Sequence, residues 1–72
     1  MTLKELRESN DLRQVDVAKN LDVVQTAVSK WESGCNVPLD KYKRKLAKLY
    51  KCTEADIVAS CAETKVAKGN AT

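Results

Sequence analysis

Leu12-Arg13-Gln14-Val15-Asp16-Val17-Ala18-Lys19-Asn20-Leu21, then Asp22-Val23-Val24, then Gln25-Thr26-Ala27-Val28-Ser29-Lys30-Trp31-Glu32-Ser33-Gly34: this run decides the fold. Its apolar residues Val17, Ala18 and Leu21 fall at the i, i+1, i+4 spacing of a helical stripe. Asp11 to Gln14 is read as the cap of that helix, with Asp11 accepting from the first turn and Gln14 reaching back. A further helix is predicted over residues 24 to 33. At ~100° per residue, Ala27, Val28 and Trp31 cluster on one side of it, and Gln25, Thr26, Ser29, Lys30 and Ser33 cluster on the other. One side packs and the other is free to touch something. Gly34 then supplies the left-handed residue that commonly ends a helix.

Upstream, Thr2-Leu3-Lys4-Glu5 fits a capping box, so a short first helix begins at residue 2 or 3 and stops at Ser9-Asn10-Asp11. Downstream of Pro38 a fourth helix is predicted over residues 39 to 51, with Leu39, Tyr42, Leu46, Leu49 and Tyr50 as its apolar stripe. Thr53 caps a fifth, in which Glu54 and Asp56 suit the positive helix end and Ile57, Val58 and Cys61 supply apolar contacts. Residues 63 to 72 are small, polar and unpatterned, and are read as a flexible tail behind one domain of residues 1 to 62. The expected class is all-α, with five helices.

Charge is distributed unevenly. Residues 1 to 40 carry five bases and seven acids, whereas residues 41 to 51 carry six bases (Lys41, Lys43, Arg44, Lys45, Lys48, Lys51) and no acid. Lys41, Arg44, Lys45 and Lys48 recur at i, i+3, i+4, i+7, the basic face of an amphipathic helix. Such a face fits a polyanionic partner, or it is simply solvated.

With 72 residues, 43% hydrophobic and 32% charged, the chain is one small folding domain. Histidine is absent, which removes the commonest general base and metal ligand together. The sequence shows no nucleophile set beside a base, no glycine-rich phosphate loop and no close cysteine pair, so neither an enzyme, nor a metal site, nor a cofactor is expected. Cys35, Cys52 and Cys61 are an odd set and no signal peptide precedes them. A cytoplasmic protein with free thiols is expected, and no apolar run is long enough to span a membrane.

Two short helices joined by a tight turn, the second with a polar face, meet the physical requirements of a helix-turn-helix. A major groove admits one helix, and Gln, Ser, Thr and Lys can reach base edges and phosphates from it. The chain resembles the lambda-repressor and Cro-like (Xre-type) helix-turn-helix transcription regulators. The likeness runs through Leu3 to Glu8, Leu12, Gln14, Val17-Ala18, Leu21, the segment Ala27 to Gly34, Pro38, Leu46 to Tyr50 and Cys52 to Ile57. By that resemblance Gln14 clamps a DNA phosphate and braces the recognition helix. Gln25, Thr26, Ser29 and Lys30 face bases or nearby phosphates, and Ser33 is counted as a DNA-binding residue with them, on the same polar side. Arg7 and Glu32 match an internal salt bridge between the first and third helices.

Departures from the family pattern are local. Asp22 stands where relatives place Gly, and it can adopt a left-handed turn. Arg13 and Val24 occupy helix starts usually held by Thr or Ser, and the missing oxygen at Val24 costs ~1 kcal/mol unless a neighbour or a phosphate satisfies the free N–H groups. The loop Cys35-Asn36-Val37 lacks the usual bases. Lys41, Lys43, Arg44 and Lys45 either take over its backbone contacts or face solvent. Trp31, Tyr42 and Tyr50 lie on apolar stripes and are read as core and not as base-stacking platforms.

The expected function is a repressor of the Cro type, as in a phage or mobile element. It would bind double-stranded DNA through the major groove as a homodimer, either preformed or assembled only on DNA. Ile57, Val58, Cys61 and Val66 are the interface material. The rival is a protein-interaction module, an antitoxin or coactivator, built on the same fold.

Overall fold

A computed structural model describes residues 1–70, the last five by their backbone alone. Five helices follow one another: α1 (Leu3–Ser9), α2 (Gln14–Leu21), α3 (Gln25–Ser33), α4 (Asp40–Leu49) and α5 (Glu54–Asn70). Among the described residues there is no strand. α2 packs on α3 and α4, and α5 closes the bundle against α4, α3 and α1. Val17, Leu21, Val28, Leu46 and Ile57 are almost fully buried at its centre. The hydrophobic effect on these side chains holds the helix pair α2–α3 in place.

Local chemistry explains each boundary. Thr2 and Glu5 form the expected capping box: Glu5 N–H donates to Thr2 Oγ1 at 3.2 Å and Thr2 N–H to Glu5 Oε1 at 2.7 Å. Thr53 and Asp56 do the same for α5, both at 3.1 Å. The start of α2 differs from the sequence reading. Asp11 is not its cap; it takes a left-handed φ of 57° and turns the chain out of α1. Asp16 supplies the acceptor instead, taking the Arg13 N–H at 2.9 Å.

Asp22 adopts the left-handed turn (φ 56°) that joins α2 to α3, and Gly34 ends α3 at φ 82°. α4 stops at Leu49, short of the expected residue 51, because Lys51 is itself left-handed (φ 57°). Leu39 leaves the predicted apolar stripe. As the cap it is not helical, so the wheel does not apply to it, and it stands 64% exposed. The buried residue there is Pro38.

Three corrections concern α5. The helix does not end near residue 62 but runs on to Asn70, where the sequence suggests a tail. Thr64 is buried: its Oγ1 accepts the Leu3 N–H at 3.0 Å and donates to the Ser60 carbonyl at 2.7 Å. Small hydroxyl residues satisfied in this way bury without any apolar period, which is why the pattern is silent here. Ile57 and Cys61 belong to the core and are not available to a partner, while Val58 is exposed; the side chain of Val66 lies outside the described residues. Burial pushes the Cys61 thiol above its ordinary pKa, with Lys43 pulling the other way.

The caps impose a pH dependence. Hydrogen bonds at helix starts hold three carboxylates below their ordinary values: Glu5 through the Thr2 backbone and hydroxyl, Asp16 through the Arg13 side chain and then its backbone, and Asp56 through the Thr53 backbone and hydroxyl. The folded-state pKa is depressed, so this stability is complete above the ordinary 4.5 of Glu and 3.8 of Asp and is lost as pH falls through the lowered values. Thermal melting is expected to give the same midpoint at pH 5 and pH 7 and a lower one at about pH 3. Asp56→Asn should reduce that difference.

Candidate nucleic-acid interface

A polar surface is built at the joint between α2 and α3. Val28 and Trp31 are drawn into the core, which turns the opposite side of α3 outward and leaves Gln25, Thr26, Ser29 and Lys30 exposed. Gln14, first residue of α2, is half-buried beside them. Gln14, Gln25, Thr26 and Ser29 together line an open hollow of about 260 Å³. Residues eleven to fifteen positions apart thus offer amide and hydroxyl groups to one space.

Behind the hollow lies a chain of polar contacts. Arg7 of α1 reaches across to Glu32 of α3, with Nε to Oε2 at 2.6 Å and Nη2 to Oε1 at 3.2 Å, and its Nη1 donates to the Leu12 carbonyl at 2.8 Å. The charged hydrogen bond to Glu32 raises the Arg7 pKa against the opposing effect of burial. Gln14 Nε2 donates to the same Glu32 Oε1 at 3.0 Å, and Gln25 Nε2 donates to Gln14 Oε1 at 3.4 Å. Desolvation, and next the Glu32 charge, push up the pKa of the buried Tyr50 hydroxyl.

A helix-turn-helix family model matches residues 3–57, a span that takes in α1 to α4 and the first turn of α5. The chain belongs to the helix-turn-helix family. Its type is that of the Cro/C1, Xre-like regulators, and its general role is that of a DNA-binding regulator. No curated protein and no solved structure gives a significant match. Among the described residues no helix is long and apolar enough to cross a membrane.

Within this helix-turn-helix the remaining named residues are placed unequally. Lys30 is exposed on α3 but does not line the hollow. Ser33 is half-buried, and its hydroxyl donates to the Lys30 carbonyl at 3.1 Å, so that proton is spent within its own helix. Lys41 and Arg44 are exposed on α4, and the Lys41 ammonium lies 5.0 Å from the centre of the Tyr42 ring, a cation–π distance. Lys43 is drawn aside towards Asp40 at 3.6 Å. Lys45 and Lys48 flank a separate groove with Asn20, Leu21 and Leu49.

Sequence reasoning missed the bond between Gln14 and Glu32. The available signal is that Glu32 lies seven residues after Gln25, within ~20° of it around the helix, so both share a side of α3 on which a third group can bridge them. Val24, at the N-cap of α3, makes no side-chain cap and is 69% exposed. Val24→Ser is expected to stabilise the fold by about 1 kcal/mol, since the hydroxyl gains an N–H and little burial is lost. Differential scanning calorimetry should show a rise in Tm of roughly 4–8 °C.

Proposed function

We propose that the protein is a sequence-specific repressor that reads double-stranded DNA in the major groove with α3, as a homodimer on a two-fold operator. The observation that carries this reading is the open hollow lined by Gln14 of α2 and by the exposed Gln25, Thr26 and Ser29 of α3. Amides and hydroxyls of this kind match base edges, while Gln14 at the start of α2 is suited to a phosphate. Lys41 and Arg44 add charge for the flanking backbone. Dimerisation follows from the short reach of one recognition helix, which covers only a few base pairs. Val58 on α5, 52% exposed, and Val37 and Leu39 before α4 are apolar side chains that a second copy can cover.

The test is repeated selection against a random duplex pool at near-physiological salt. An enriched inverted repeat with half-sites ~34 Å apart supports the reading. Retention without a motif, vanishing as salt rises, would defeat it and favour a protein partner. Substitutions should separate into two classes. Gln25→Ala and Lys30→Ala are expected to relax the preference at individual positions by about 1–3 kcal/mol. Lys41→Ala or Arg44→Ala should weaken all sequences alike and reduce the salt slope by about one.

A further inference from the structure

The Arg7–Glu32 pair does more than join two helices, because its outer oxygen continues into the recognition surface. Glu32, with its side chain only 5% exposed, faces the Arg7 guanidinium on one side and the Gln14 amide on the other. A carboxylate paired with a guanidinium has no proton to donate, so only the NH2 end of Gln14 can meet it. A primary amide has two opposite ends. The Gln14 carbonyl is therefore turned to Gln25, and the only group with which Gln25 can answer a carbonyl is its own NH2, as the 3.4 Å contact shows.

The consequence reaches the DNA face. Gln25 keeps its carbonyl oxygen and one N–H for an incoming base, an acceptor beside a donor. The adenine edge, with N6–H2 and N7, calls for that combination; the guanine edge, with O6 and N7, calls for two donors. If the chain of amides ran the other way, the Gln25 carbonyl would be occupied by Gln14 and two N–H groups would face outward.

We propose that Glu32 is a positioning residue for base readout, which acts through Gln14 to set the amide polarity of Gln25 and with it a preference for adenine over guanine. This inference rests on the DNA-binding reading above. Arg7 keeps the acceptor in place and permits no alternative polarity at its own end, since a guanidinium only donates.

Glu32→Gln tests the relay by reversing it. The new amide must turn its carbonyl to Arg7 and its NH2 to Gln14, which inverts both glutamines. The position that Gln25 reads is first located as the one that loses its preference in Gln25→Ala. Competition titrations on the selected site, with A or G at that position, are then compared. The wild type is expected to prefer A by about tenfold. In Glu32→Gln that ratio should fall to near unity or invert, while preferences lost in Lys30→Ala remain. An unchanged A/G ratio, or a uniform loss at every position, would overturn the relay and leave Glu32 a purely structural residue. Should Glu32→Gln fail to melt cooperatively, Glu32→Asp keeps the charge but falls one methylene short of Gln14, and it should also bring the ratio towards unity. A wild type that enriches no motif would instead bring down the DNA reading, and the relay's role in readout with it.

Discussion

Arg7→Met is expected to lower the stability of the fold by about 3–5 kcal/mol, the usual cost of stranding one member of a buried ion pair. The side chains of Arg7 and Glu32 are 10% and 5% exposed, and a 2.6 Å contact joins them, so water cannot replace the lost guanidinium. Glu32 would keep a single neutral donor, Gln14, and the Leu12 carbonyl would lose its partner as well. Domains have a total stability of about 5–15 kcal/mol, so the variant should stand close to unfolding. The double substitution Arg7→Met with Glu32→Leu removes both charges and should recover most of the loss. Urea titrations followed by far-ultraviolet circular dichroism measure both. A loss below about 1 kcal/mol in the single variant would mean that the pair is hydrated in solution.

Trp31→Ala carries a comparable expected loss, about 3–5 kcal/mol, for a different reason. Trp31 lies on α3 but points inward, 7% exposed, with its ring 5.5 Å from that of Tyr42. Truncation leaves a cavity between α3 and the helix that follows it. Equilibrium unfolding should show the loss, while the base preferences of the remaining folded protein stay unchanged. A stable variant with altered preferences would make Trp31 a nucleic-acid contact and would refute its place in the core.

Much of this arrangement could be read from residues. Periodicity places Val28 and Trp31 inside and Gln25, Thr26, Ser29 and Lys30 outside, because a short helix against a small core has only one side to bury. The boxes Thr2–Glu5 and Thr53–Asp56 announce two helix starts, since their partners lie within one turn. Asp22 and Gly34 take the left-handed turns that their residue types allow. The misreadings occur where the pattern is silent or deceptive. Leu39 looks like a stripe residue but stands at the helix N-cap, and the small polar residues after position 62 continue α5, where the buried Thr64 hydroxyl is satisfied by the Ser60 carbonyl and the Leu3 N–H.

The sequence by itself determined what neighbours in the chain decide: five helices, their turns, the polar side of α3 and the family. These rest on interactions within one or two turns, where spacing is geometry. Tertiary structure alone decided which groups from distant helices share a space. It put Gln14 of α2 against Glu32 of α3, at 3.0 Å across eighteen residues, and Leu3 against Thr64 across sixty-one. Hydrogen bonds act over about 3 Å and carry no trace in sequence spacing, so their partners become visible only when packing of the core has brought the helices together.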